Sequence, residues 1–206
     1  DVVMGYAEVL SISGQYAKAG SVLGNLTEKN PDNPELWLAI GHNEFSLDKH
    51  QSALDTFQKT IDLLKDNSRK SIELRSDAHR QRARILRNEL EQPLAAHREE
   101  LKATIPPRPT TAPDNLIDLT THYTAPLRGM GSIQNSNAIL TTLPIGVNTY
   151  SGNQYDTRGM IYLSGKQQEQ ARGEKNPYPK KEEGIHIDQK LNELKFLQAT
   201  TWTDPD

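Results

Sequence analysis

Apolar positions fall into two regimes that meet near residue 104. From residue 3 to residue 65 they recur at the three- and four-residue spacing of helices with one buried stripe. Ala19, Leu23 and Leu26 make one stripe. Trp37, Ile40, Gly41 and Phe45 make a second, and Ala53, Leu54, Phe57, Ile61 and Leu64 a third. The breaks between them carry helix-stop and helix-start chemistry. Gly14-Gln15-Tyr16 separates the first two helices. Asn30-Pro31-Asp32-Asn33-Pro34 ends one helix and opens the next, with Pro34 suited to a first helical turn. A further helical segment is expected over residues 68–102, with Ile72, Ala83, Leu86 and Leu90 on one side. Pro93 ends or kinks it, leaving Leu94–Leu101 as a separate short helix.

A shift of 34 residues lays the first part of this pattern on the second. Val3 meets Trp37, Tyr6 meets Ile40, Ala7 meets Gly41, Gly14 meets Asp48, Ala19 meets Ala53 and Leu23 meets Phe57. With its small residues at the helix crossings, residues 3–65 resemble two tetratricopeptide repeats. The second is the closer match (Trp37, Gly41, Ala53, Phe57), whereas the first lacks the Trp and Gly of helix A. The resemblance implies a short α-solenoid of helical hairpins, capped by the segment that follows. It also implies a concave face that binds extended peptides, at the positions matching Met4, Glu8, Ser11, Leu38, His42 and Phe45. The Lys/Asn pattern that grips a C-terminal carboxylate is missing there. Leu38 and Phe45 suit a hydrophobic peptide or helix, or else pack against a neighbouring repeat.

Beyond residue 103 helical periodicity stops. Residues 104–114 hold four prolines between Thr104 and Pro113 and read as a semi-rigid extended linker. Short strand-like runs follow at Leu116–Leu119, Val147–Tyr150, Gly159–Leu163, Gly184–Ile187 and Leu191–Trp202, with Ser151-Gly152-Asn153 as a hairpin turn. Lys166–Glu183 reads as a polar surface loop. The expected fold is therefore mixed α + β and multidomain. Helical repeats span 1–103, a linker 104–114, and an antiparallel β-sandwich-like module 115–206.

The second half carries Leu116-Ile117-Asp118-Leu119, Leu143-Pro144-x-Gly146, Gly152-x-x-Tyr155-Asp156-x-Arg158-Gly159, Ile161-x-Leu163-Ser164-Gly165 and Leu194-x-Phe196-Leu197-x-Ala199-Thr200. These resemble a β-module of large multidomain bacterial proteins, similar to galactose-binding-type β-sandwiches, found beside helical repeats or kinase domains. The resemblance implies further strands after Trp202. The module is thus expected to be truncated at Thr203-Asp204-Pro205-Asp206, or completed by residues beyond them. Likewise Asp1-Val2-Val3-Met4 reads as the inside of a helix, so the natural N-terminus is expected elsewhere.

Charge narrows the partners. Residues 1–103 carry 14 Lys/Arg against 16 Asp/Glu, and residues 104–206 carry 10 against 11. Neither half has the basic footprint of a nucleic-acid binder. Charged residues make up 25% of the chain, against 34% hydrophobic, and mean hydropathy is -0.73, values that suit an open architecture more than one large core. With no cysteine, thiolate metal sites and cysteine nucleophiles are excluded. No apolar run approaches the ~18 residues of a membrane span. Composition leaves the compartment open.

Candidate chemistry is sparse. His42, His50, His79, His97, His122 and His186 form no pair with ligand spacing, so no metal is expected. Arg128-Gly129-Met130-Gly131-Ser132 matches no phosphate-binding loop and reads as flexible. Asp118, Asp156 and Asp188 could supply a carboxylate pair, but Asp156 and Arg158 at i and i+2 read first as a structural ion pair. Arg69, Arg80, Arg84 and Arg87 read as a solvated helix face tempered by Glu73, Asp77 and Glu89. Tyr150, Tyr155, Tyr162 and Trp202 are candidates for stacking on a sugar, or for the core of the β half. The expectation is a non-catalytic scaffold without cofactor. It takes a protein or peptide partner on Met4, Glu8, Leu38, His42 and Phe45. Alternatives are a carbohydrate-binding accessory protein, or part of a larger enzyme or regulatory kinase. Open solenoid ends and an unpaired sheet edge also allow self-association.

Overall fold

In a computed structural model of the chain, residues 2–109, 111–127, 143–163, 178–187 and 193–195 are described. The fold is mixed α + β and divides into two compact units, Asp1–Ala103 and Thr104–Asp206.

The first unit is built from helices α1 (Val2–Ile12), α2 (Tyr16–Lys29), α3 (Pro34–Ser46), α4 (His50–Leu63), α5 (Arg69–Asn88) and α6 (Pro93–Thr104). The 34-residue period recurs in the backbone itself. Gly14 and Asp48 both turn through the left-handed region, at φ 76° and 57°. The residues after them, Gln15 and Lys49, share φ -86° with ψ 53° and 60°. Gln15 N–H donates to Leu10 O at 2.8 Å and Lys49 N–H to Glu44 O at 3.0 Å, 34 residues on. Asp tolerates the left-handed turn better than most residues, because its short side chain bonds locally. The α3 start is also locally specified: Asn33 Oδ1 accepts from Glu35 N–H at 3.0 Å, and Pro34 takes the first turn.

The α3–α4 crossing has no spare room. A Cβ on Gly41 would lie 2.6 Å from the Phe57 ring, and Phe57 is fully buried. Ala53, Leu54, Phe57, Ala78, Ile85, Leu86 and Ala96 form the core, drawn from α4, α5 and α6. Arg75 donates to Leu64 O at 2.7 Å and Asp66 O at 2.8 Å, satisfying carbonyls left open where α4 ends. Ser68 Oγ caps α5 by accepting from Ser71 N–H.

The segment expected as a capping helix, followed by a short helix after Pro93, is the pair α5 and α6, which run antiparallel. The hairpin closes through a charged centre. Glu99 accepts from His79 Nδ1 at 2.8 Å, Arg82 Nε at 3.0 Å and Lys102 Nζ at 3.1 Å, while Arg82 also donates to Leu54 O at 2.6 Å. Glu99 is buried. Burial opposes its ionisation, but the His79 hydrogen bond and the Lys102 and Arg82 charges outweigh this and hold its carboxyl at about 2.

The second unit differs from expectation. Leu116–Leu119 is a turn rather than a strand: Asp118 Oδ1 accepts from the backbone and hydroxyl of Thr120, opening a 3-10 turn at Thr120–His122. Described strands are β1 (Ala125–Pro126), β2 (Val147–Tyr150), β3 (Asn153–Asp156) and β4 (Gly159–Met160). They form two two-stranded antiparallel sheets, β1–β4 and β2–β3. Ser151 (φ 49°) and Gly152 (φ 76°) make the two-residue turn of the β2–β3 hairpin, whose primed twist suits paired strands. Ile161–Leu163 leaves the ladder after β4. Gly184–Ile187 forms no strand; Ile185 and Ile187 are exposed. Most of Leu191–Trp202, and Arg128–Ser132, lie outside the described residues.

The proline-rich segment 104–114 belongs to this unit. Its Pro106 O accepts from Arg158 Nη1 at 3.0 Å, and Ile105 lies against Gly159. The pairing expected between Asp156 and Arg158 is present and buried: Nε and Nη2 both contact the carboxylate, at 2.6 Å for Nη2, with side chains only 4% and 1% exposed. Arg158 Nη2 also donates to Thr120 Oγ1 at 2.7 Å. One guanidinium therefore ties the 104–109 segment, the 3-10 turn and the β3–β4 corner. The Tyr123 ring sits where a Cβ on Gly159 would stand, at 2.6 Å. Burial, with Asp156 nearby, pushes the Tyr123 hydroxyl's pKa well up.

Gly41→Ala is expected to cost about 1–2 kcal/mol, because overpacking outweighs the gain in helix propensity. Gly24→Ala, with nothing within 4 Å of the new Cβ, should instead stabilise by about 0.5–1 kcal/mol. Urea unfolding of the two variants reads the opposite signs. Arg158→Ala strands the buried Asp156 carboxylate, at about 3–5 kcal/mol. Peptide-resolved hydrogen exchange should show residues 105–127 and 147–162 losing protection while α3 and α4 keep theirs.

Glu99 gives a pH signature. Its carboxyl is lowered from 4.5 to about 2 in the fold, so its stabilisation is complete above pH 4.5 and is lost as pH falls towards 2. Glu99→Gln should flatten the decline in thermal midpoint across that window.

Candidate functional site

The expected binding residues sit on α1 and α3, and the structure divides them into two groups. Met4 and Glu8 of α1 line a depression of about 270 Å³, with Leu26 and Asn30 from the end of α2 and Asn33, Glu35 and Leu36 from the start of α3. Leu38, His42 and Phe45 lie along α3, one to two turns further on, and do not line it.

On α3 the face is less apolar than expected. Leu38 and Phe45 are half-buried and rest against the core cluster. Arg84 of α5 places its guanidinium 4.8 Å from the Phe45 ring centre, a cation–π distance. His42 Nε2 meets Asp77 Oδ2 at 3.4 Å, and its ring stands edge-on to Phe57 at 5.4 Å between centroids. The His42 contact, with Arg80 further off, holds the Asp77 carboxyl below its usual range despite burial. Glu35 pairs with Lys70. Both Glu35–Lys70 and His42–Asp77 are 35 residues apart, so α3 and α5 run parallel, side by side.

Asp77 and Arg84 are therefore part of this face, which sequence reasoning missed. The arginines form an exposed row, as the sequence predicts, tempered by Glu73 and Asp77. In the structure Arg69 pairs with Glu73, Arg80 lies 3.8 Å from Asp77, Arg87 pairs with Glu100, and Arg84 covers Phe45. The signal that could have found Asp77 is the 35-residue offset that Glu35–Lys70 and His42–Asp77 share; it does not lead to Arg84.

The aromatic candidates of the second unit also separate. Tyr150 and Tyr155 face each other diagonally across β2–β3, 6.1 Å apart and tilted by 41°, both half-buried. Two rings so tilted offer no common plane to a sugar. Tyr162 is buried, 4.8 Å from Tyr178 edge to face, with its backbone N–H donating to Thr124 Oγ1 at 2.6 Å. It is a packing residue rather than a stacking platform, because no face of its ring is left open. Trp202 lies outside the described residues. Among the described residues no cluster of three His, Asp or Glu could hold a metal ion, and no helix is long and apolar enough to cross a membrane.

No protein-family model matches the chain, and neither a curated protein nor a solved structure matches it.

Proposed function

We propose that the helical unit is a non-catalytic protein-binding array of the tetratricopeptide type. In this reading the chain is a scaffold whose second unit is accessory. The observation that carries it is the 34-residue recurrence of turn geometry and hydrogen bonding between the α1–α2 and α3–α4 hairpins. A third hairpin brings the count to the ~3 repeats at which such arrays become stable. The working surface is the row of first helices, α1, α3 and α5. Its residues are Met4, Glu8, Leu38, His42 and Phe45, joined by Asp77 and Arg84. An apolar contact at Leu38, two turns along α3 from Phe45 and the Arg84 guanidinium over it, fits a peptide that carries an aliphatic or aromatic side chain and, further along, a carboxylate.

Selection of displayed peptides on the wild-type chain tests this. Enriched sequences should pair an apolar residue with Asp or Glu. Their affinity should fall about tenfold or more, about 1.4 kcal/mol, in Leu38→Glu and Arg84→Glu variants that keep wild-type circular dichroism. Peptides bound equally by both variants and wild type would remove this face from the account.

A further inference from the structure

The two seams between successive helical hairpins are built differently. Polar groups cross the seam between α3–α4 and α5–α6 repeatedly. Glu35 pairs with Lys70, His42 with Asp77 at 3.4 Å and His50 with Glu89 at 3.7 Å. Arg75 and Arg82 of α5 donate to Leu64 O and Leu54 O at 2.7 and 2.6 Å. Among the described residues no ion pair joins α1 or α2 to another helix. The polar side chains of α2 bond inside their own hairpin: Lys18 to Gln15, Ser21 to Ala17 O and Thr27 to Leu23 O. The α2–α3 seam also holds a misfit. Asn43 is 5% exposed, and its Oδ1 accepts no hydrogen bond. It faces Gly20 of α2, where a Cβ would stand 2.9 Å from Asn43 Nδ2. One turn along α2, Gly24 has nothing within 4 Å of a Cβ. A buried acceptor without a donor disfavours the closed seam, because water reaches that oxygen whenever the seam opens. At the next seam Leu54 and Ala78 take these two places, 34 and 35 residues on, and both belong to the apolar core cluster.

We infer that the helical unit is two blocks joined at a hinge, with α1–α2 swinging against α3–α6 at the seam that carries Asn43. The pivot is the turn at residues 30–33, where Trp37 Nε1 donates to Pro31 O at 2.6 Å. The hinge accounts for the division of the candidate residues. The depression lies across it, with Met4, Glu8 and Leu26 on one block and Glu35 and Leu36 on the other, so its volume varies as the blocks move. Leu38, His42, Phe45 and Arg84 lie within the second block and keep their geometry. Stacked arrays loosen at their ends in general. Here the chemistry of one seam, rather than its place in the chain, sets where the opening occurs, and α6 at the other end is held by the Glu99 centre. The hinge belongs to the free chain and is independent of what the face binds.

Native-state hydrogen exchange of the full chain tests the hinge. The amides of α1 and α2 should exchange together, about tenfold or more faster than those at the centres of α3–α6. Asn43→Leu sets methyl groups where the amide atoms stand. It should slow exchange in α1 and α2 about fivefold or more, and leave α5 and α6 unchanged. Exchange of α6 as fast as that of α1 and α2 would reduce the opening to the loosening of terminal helices, and would overturn the hinge. So would exchange of α1 without α2, or an Asn43→Leu variant that slows α1–α6 alike or leaves α1 and α2 unslowed. The wild-type pattern decides alone if that variant does not fold.

Discussion

Phe57 occupies the space that a side chain at residue 41 would need, and the helical unit follows from that contact. The absence of a Cβ lets α3 approach α4 until the ring fills the crossing. Dispersion falls steeply with separation, so the close approach turns two amphipathic helices into one packed layer. That layer presents Ala53, Leu54 and Phe57 to α5 and α6, where the rest of the core gathers. It also fixes which side of α3 remains outward, and so which residues can meet a ligand.

Both units bury charge, and in each the buried ion joins segments distant in sequence. Glu99 collects His79, Arg82 and Lys102, and through Arg82 reaches the backbone of α4. Arg158 collects Asp156, Thr120 and Pro106 O. Such groups add little net stability relative to apolar packing, but breaking one partner away is costly. They act as register pins. Glu99 sets how the longer α5 returns along α6, and Arg158 holds a proline-rich segment that has few backbone donors of its own.

How much was legible in the sequence follows from how local the determining forces were. The helices, the turn at Gly14 and the Ser151-Gly152 hairpin rest on short-range spacing and on residues that tolerate positive φ, so the sequence carries them openly. The 34-residue period extended this to hairpin pairing. One strand reading failed for a local reason, and two contacts stayed hidden because the partner was remote. Residues 104–114 looked like a linker because the Arg158 side chain that anchors them lies about fifty positions on. Leu116–Leu119 looked like a strand because apolar alternation cannot show that Asp118 bonds Thr120 instead of a ladder. Arg84 is exposed, as a solvated face implies, but its contact with the Phe45 ring was hidden because that ring is on another helix. Of the candidate site, the sequence places Met4, Glu8, Leu38, His42 and Phe45 on α1 and α3, but not their division into a depression and a charged-and-aromatic row. Sequence spacing gives a helix face, whereas the neighbour that modifies it comes from packing.

The central claim is that the row of first helices is the surface that works. Methyl-resolved nuclear magnetic resonance of the full chain, titrated with a bound peptide, tests it most directly. The account predicts that shifts concentrate at Met4, Leu38 and residues of α5 near Arg84, with α2, α4 and the β2–β3 hairpin unmoved. Shifts centred on Val147 and the hairpin of Tyr150 and Tyr155 would contradict it, and would make the second unit the binding module.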